Sequence, residues 1–403
     1  SISVDSIVFE RSQMGASPSV PDEVDRPPDM IPSTCTKDAR HRDQPGLAFF
    51  AEAFAAGDDE AHLQRGCEPG VTMIDLPPAG QGGQFEDSGE AEWPLWDDAW
   101  SGESRGGAVA FVPADAGASS PCIYFVHGGG FEWGGPREDG YDSLCSRIAR
   151  GTGQIVVCPD HPLSGNDRPF KAPAIIETLA KGLRWLVRFD PMTKERRKDA
   201  PQIVLCGDSA GATQAYSLLL HALLDESCEL KNSLCGLVLF SPWLDLTCGS
   251  HTYVSNAFAA EANTGDLAFR EHADENRAGF KGMGQTYTGT ADLLKDSRFS
   301  PYWLSRGEPS DLLNRLQACQ VPTWICTGAS ETLAGEVLDF AQRLQDKVPL
   351  ELWLHEGMFH DWVMYATEHP FPSKDAAMQH VFDFLQETRA GIWKPKGIQY
   401  YIE

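Results

Sequence analysis

The sequence predicts an α/β protein in which a mostly parallel central sheet is flanked by helices on both faces. Two observations carry this. From about residue 106 onward, short apolar runs recur, each bounded by Gly, Pro or Asp, and they are continuous rather than alternating, as in strands buried on both sides. Between them lie stretches with apolar residues at three- and four-residue steps, the spacing of helices with one buried stripe. Strands alternating with helices build a parallel sheet, because each parallel connection has to cross over one face.

Residues 1–46 are rich in Pro, Asp and Ser, and the stretch from Pro18 to Pro32 reads as extended or irregular. Leu47, Phe50, Phe54 and Leu63 recur at helix-like spacing and predict an amphipathic helix. Residues 80–89 are a loop by composition. Trp93, Trp96 and Trp100 follow, with core packing as their expected role. The apolar runs at 108–112, 122–126, 154–159, 202–207, 236–241, 321–328 and 350–354 are expected to be strands. Helices are expected over 174–189, 212–224, 331–345 and 374–388. The stretch 248–298 breaks the alternation: it is polar, Gly-rich and without a strand pattern, and reads as an insertion between two sheet strands. No internal repeat is present.

Composition narrows the function. At 403 residues, 42% hydrophobic and 23% charged, the chain has ordinary globular composition and the length for an α/β domain with insertions. The net charge of −25 argues against nucleic acid and anionic membranes, which need clustered Lys and Arg. Residues 1–105 alone hold 21 acidic and 7 basic side chains, which reads as a solvated acidic surface. No apolar stretch is long enough for a membrane span. Eleven cysteines, several inside apolar runs (Cys122, Cys158, Cys206, Cys326), show no zinc spacing and read as buried reduced thiols. Such thiols fit a reducing compartment, so a cytoplasmic location is expected. No signal-peptide pattern opens the chain, although Ser1 in place of Met leaves a removed leader open.

The chemistry is carried by two glycine motifs. Gly207-Asp208-Ser209-Ala210-Gly211 follows one strand pattern and precedes a helical one, the strand–turn–helix setting of a nucleophile elbow. A sharp turn there strains the backbone of Ser209, and only glycine fits beside it against strand and helix. His127-Gly128-Gly129-Gly130-Phe131 directly follows the strand at 122–126. Bare backbone amides there can approach a tetrahedral oxyanion closely. A serine nucleophile needs a base and an orienting acid, in the chain order Ser, acid, His. His360, after the last apolar run, is the expected base; His355 is read as a structural strand-end residue, and His251 and His272 fall in the insertion. Glu331, first after the strand at 321–328, is the expected acid. Glu336 and Asp339 lie further along and read as solvated helix charges.

These residues resemble the hormone-sensitive-lipase-like branch of the α/β-hydrolases over roughly residues 106–390. The resemblance rests on HGGGF at 127–131, GDSAG at 207–211, the Ser241-Pro242-Trp243-Leu244-Asp245-Leu246-Thr247 stretch, and Gly328 with Glu331, Leu333 and Glu336. It implies an oxyanion hole from the amides of Gly129, Gly130 and Ala210, with Gly128 shaping the loop. It also implies a cofactor-free carboxylesterase reaction and a helical cap. The cap would comprise the 248–298 insertion and part of residues 1–105, over a catalytic domain spanning 106–403. The sequence departs from that branch in having Glu331 for the usual Asp. Its His161-Pro162-Leu163-Ser164-Gly165-Asn166 replaces the usual Tyr-Arg-Leu-Ala-Pro-Glu, and its N-terminal extension is long. The expected substrate is a small-molecule ester. Competing readings are an arylformamidase-type amidase, a non-catalytic ligand-binding receptor, and a biosynthetic acyl-transfer protein on the same fold.

Overall fold

The computed structural model describes Phe50 and residues 63–76, 95–98 and 103–402. Gaps within the last range fall at 118–119, 139, 166–167, 226, 228, 258–264, 268, 270–272, 307–309 and 367–370. In chain order the strands are β1 (Val71–Leu76), β2 (Leu95–Asp98), β3 (Glu103–Gly106), β4 (Ala108–Pro113), β5 (Cys122–Val126), β6 (Ile155–Pro159), β7 (Ile203–Asp208), β8 (Leu234–Phe240), β9 (Thr323–Gly328), β10 (Leu350–His355) and β11 (Gly397–Tyr401). Nine of them form one sheet in the order β1-β4-β6-β5-β7-β8-β9-β10-β11, and β2 and β3 pair separately. The ladders from β6 through β11 are parallel, and within this nine-stranded sheet only β1–β4 and β4–β6 are antiparallel. The mostly parallel sheet read from the sequence is the observed one.

Its alternation divides the core in two. Cys122, Tyr124 and Val126 of β5 pack on one face with helices Ala172–Arg188, Ser209–Leu224 and Ala334–Leu344. Ile123 and Phe125 face the other side, where helices Tyr141–Thr152 and Pro372–Ala390 lie. Every residue of β5 and β7 is buried, which is why these runs read as continuous apolar stretches. Each fully buried Leu or Phe in these layers contributes about 1.5–3 kcal/mol.

Several elements differ from expectation. β1 lies within residues 1–105 yet forms an edge of the main sheet, so the sheet begins before the expected boundary at 106. Phe50 is helical, but Leu63 forms an isolated bridge with Tyr365 rather than extending that helix. Leu47, Phe54 and the side chains of the tryptophans at 93, 96 and 100 lie outside the described residues. Helix Tyr141–Thr152 has no expected counterpart, because its buried face includes Ser143 and Ser146 and its apolar stripe is therefore thin. The helix expected over 331–345 starts at Ala334, since Glu331 accepts the Gly328 N–H (2.6 Å) and holds a turn instead. Within the 248–298 insertion, helices Thr252–Ser255 and Ala273–Thr288 fold between β8 and β9, and its described residues carry no strand. No described helix is long and apolar enough to cross a membrane.

Candidate active site

Parallel strands deliver their following loops to one edge of a sheet, the usual ligand edge of such folds. Here neighbouring strands each deliver one polar side chain: Ser209 after β7, Ser241 after β8, Glu331 after β9 and His360 after β10. Ser209 opens helix Ser209–Leu224 with φ of 48°, a left-handed backbone rare for a non-glycine residue. The flanking glycines make that turn possible. A Cβ on Gly207 would stand 2.6 Å from the Gly211 carbonyl oxygen, and one on Gly211 would collide with the carbonyls of Val126 and His127.

Ser209 Oγ lies 2.9 Å from His360 Nε2, and His360 Nδ1 lies 3.3 Å from Glu331 Oε2. Glu331 is wholly buried, and its Oε1 accepts from Ser241 Oγ at 2.7 Å as well as from the Gly328 N–H. The backbone N–H of His360 donates to Asp266 Oδ1 at 2.9 Å, while Asp266 Oδ2 accepts the Thr332 N–H at 2.8 Å. Asp266 belongs to the insertion, so that segment fixes both the base and the turn bearing the acid. Asp361 Oδ2 also lies 3.0 Å from His360 Nε2. Burial alone would push the His360 imidazole down, but the Asp361 and Glu331 carboxylates together hold it well above its ordinary value. Burial lifts the Glu331 carboxyl, against the downward pull of His360 and the Gly328 N–H.

The glycine loop after β5 is braced from behind. The Gly128 N–H donates to Tyr141 Oη (2.8 Å) and Asp208 Oδ1 (3.0 Å), and Tyr141 Oη donates to Asp208 Oδ2 (2.8 Å). Gly128 thus anchors the loop, its one amide hydrogen already engaged. No acceptor among the described residues takes the N–H of Gly129 or Gly130, whose φ values are 95° and 57°. The Ala210 N–H sits in the first turn of its helix, where amides lack intrahelical partners. His127 stacks on His161 with ring centroids 4.2 Å apart, and burial pushes both imidazoles down, His161 to about 4, so both are neutral near pH 7. Ser164 Oγ donates to the Phe131 carbonyl at 3.1 Å. His161 and Ser164 of the unusual 161–166 stretch thus buttress the loop. From the insertion, Tyr287 stacks on Phe131 (3.8 Å) and Phe269 lies 5.1 Å from the His360 ring.

The remaining candidates separate cleanly. His355 ends β10, fully buried and pushed down to about 3, as a structural residue should be. His251 is exposed and His272 lies outside the described residues. Glu336 is not a solvated helix charge: it is fully buried and accepts from the backbone N–H of Leu244 (2.7 Å) and Asp245 (2.9 Å) and from Tyr253 Oη (3.1 Å). Asp339 also departs from expectation, bridging Arg306 and Arg343 with little exposure. Sequence reasoning missed Tyr141, Ser241, Asp266 and Asp361 as site residues. Ser241 carried a signal, since it directly follows a strand within a quoted motif. No group of three or more His, Cys, Asp or Glu among the described residues could hold a metal ion. An open hollow of about 390 Å³ lined by Arg188, Arg196 and Lys198 shares no residue with this cluster.

Comparison with known proteins places the fold. The family described as having the alpha/beta hydrolase fold matches residues 123–364. Carboxylesterase 20 of Arabidopsis thaliana is 28% identical over 123 residues, 30% of this chain and 37% of that protein, so this alignment spans little more than a third of that relative's length. An esterase of Acinetobacter venetianus is 26% identical over 276 residues, 68% of this chain and 77% of that protein. Brefeldin A esterase, a bacterial homologue of human hormone-sensitive lipase, superposes with a TM-score of 0.59 at 16% identity, over 85% of this chain and 86% of that one. At that identity the likeness speaks for the fold, which is the fold expected from the motifs.

Proposed function

The chain belongs to the alpha/beta hydrolase fold family, and from that premise we propose that it is a carboxylesterase-type serine hydrolase acting on carboxylic esters of small or medium acyl compounds through an acyl-enzyme. One observation carries the reading: the unbroken contact chain Ser209 Oγ–His360 Nε2 (2.9 Å) and His360 Nδ1–Glu331 Oε2 (3.3 Å) at the sheet edge that follows β7, β9 and β10. Ser209 attacks the carbonyl while His360 Nε2 takes its proton. Glu331 holds the Nδ1–H tautomer and stabilises the imidazolium. The amides of Gly129, Gly130 and Ala210 receive the oxyanion, each such donor being worth about 10²–10³ in rate. His360 then protonates the leaving oxygen. Water enters, gives its proton to Nε2, and releases the acid as Ser209 recovers its hydrogen. The esterase relatives support the ester as the bond cleaved.

The cap is part of the same proposal. The insertion supplies Asp266, Phe269 and Tyr287 to the site, and of the part expected from residues 1–105 only Phe50 and residues 63–76, 95–98 and 103–105 are described. The test is a stopped-flow record of p-nitrophenyl butyrate hydrolysis. An acyl-enzyme gives a burst of p-nitrophenol stoichiometric with enzyme when deacylation is slow, and Ser209→Ala abolishes both burst and steady state. A Ser209→Ala protein as active as the wild type overturns the reading, and a folded, inert wild type favours the ligand-binding alternative.

A further inference from the structure

The mechanism above has no use for Asp361, yet this residue is built into the reacting cluster. Its Oδ2 lies 3.0 Å from His360 Nε2, the same nitrogen that stands 2.9 Å from Ser209 Oγ. Its Oδ1 is buried with no hydrogen-bond partner among the described residues. Its backbone sits at φ 54°, ψ 28°, a left-handed conformation that a non-glycine residue adopts at a cost and that often marks function. Its N–H donates to Ser241 Oγ at 3.2 Å, tying the turn to the hydroxyl that serves Glu331.

An unprotonated Nε2 presents a lone pair, and a lone pair 3.0 Å from a carboxylate oxygen is repulsive. The close carboxylate therefore favours the imidazolium, whose Nε2–H lies in line with Ser209 Oγ while Asp361 Oδ2 stands beside it as an ion-pair partner. With that proton in place, Nε2 is unable to accept another from Ser209. The other titratable groups near His360 are all acids: Glu331 on Nδ1, Asp266 on the backbone N–H, and, behind the nucleophile turn, Asp208, whose charged form burial opposes. None competes for the Nε2 proton as Asp361 does.

Building on the serine-hydrolase reading, we propose that Asp361 is a positioning residue that holds the resting site in a proton-loaded form, its carboxylate beside His360 Nε2 stabilising the imidazolium and freeing Ser209 for activation only when that contact opens. The proton balance is simple. The Nε2 proton passes to solvent, the carboxylate and the bared lone pair repel, and Asp361 turns away. Ser209 Oγ–H then points at Nε2 and gives up its proton as Oγ bonds the carbonyl carbon. Oδ2 also occupies space beside Nε2 that a leaving-group oxygen or hydrolytic water needs, so substrate entry and opening of the contact favour each other.

A purely structural Asp361 would cap its turn and leave proton affinity alone. The test follows the His360 imidazole by NMR titration of the full-length protein with 15N-labelled histidine, beside the pH profile of kcat/KM on p-nitrophenyl butyrate. Wild type is compared with Asp361→Asn, which keeps shape, and with Asp361→Gly, which suits the left-handed turn and safeguards folding. Removal of an adjacent carboxylate lowers the His360 midpoint by about 1–3 pH units. The acidic limb of kcat/KM moves by the same amount, so both variants outperform wild type below that limb by about tenfold per unit. Unchanged midpoints in both folded variants overturn the proposal. A lowered midpoint in proteins that hydrolyse no ester upholds the Asp361–His360 pairing and overturns the hydrolase reading instead.

Discussion

Replacing Glu331 with Gln separates charge and tautomer from shape. Two donors, Ser241 Oγ at 2.7 Å and the Gly328 N–H at 2.6 Å, converge on Oε1, so an amide at 331 has to place its oxygen there. Its NH2 then faces His360 Nδ1 at the Oε2 position, 3.3 Å away. Two donors repel, and the imidazole answers by carrying its hydrogen on Nε2, where it is no base for Ser209. The corresponding change in serine proteases costs about 10⁴-fold in kcat, or about 5.5 kcal/mol of transition-state stabilisation. We expect kcat/KM of Glu331→Gln on p-nitrophenyl butyrate to fall by about 10³–10⁴-fold. Burial opposes the charged form of Glu331, so the neutral amide should leave the melting temperature unchanged or raise it. A Glu331→Gln enzyme within tenfold of wild type, at unchanged melting temperature, would refute the assignment of this residue as the orienting acid.

Glu336→Gln should leave activity within about tenfold of wild type, because its carboxyl serves the Leu244 and Asp245 N–H groups and Tyr253 Oη and touches no reacting atom. Equal activity losses in the two variants would move the acid role. In the pH profile of kcat/KM, the base is His360, whose raised proton affinity means that the unprotonated, active form is lost as pH falls through a value above the ordinary 6.5; a midpoint below 6.5 contradicts this. Across p-nitrophenyl esters, acetyl and butyryl should turn over faster than long acyl chains. With Glu331, Asp361 and Asp266 around one imidazole, a neutral butyrate ester should also outrun a succinate monoester of equal length. Faster hydrolysis of long or anionic acyl groups would show that the pocket is shaped otherwise.

The parts of this site that the sequence reveals are those with a local physical requirement. Ser209 is legible because a strained turn needs Gly207 and Gly211 beside it, and the loop at 127–131 because three glycines in a row need a reason. Glu331 and His360 are legible from their positions after apolar strand runs. What stays hidden is set by contacts distant in the chain. Ser241 meets Glu331 across 90 residues and Asp266 meets His360 across 94, and nothing in the flanking sequence of either foretells the partner. Glu336 misleads for the same reason: helical spacing shows a charge, while its donors Leu244 and Asp245 lie about 90 residues earlier. Which amide of the glycine run is engaged is hidden too, since Tyr141 and Asp208, which take the Gly128 N–H, lie 13 and 80 residues away. Among the elements, the continuous strands of the sheet centre are plain, whereas the five-residue edge strand β11, only partly buried, carries too weak a pattern to stand out.

The most direct measurement is the site of covalent attachment of a fluorophosphonate to the full-length protein, read by intact mass and peptide mapping. The account predicts a single adduct, on Ser209, formed more slowly as pH falls and absent from Ser209→Ala. An adduct on any other residue, or none on folded wild type, would contradict it.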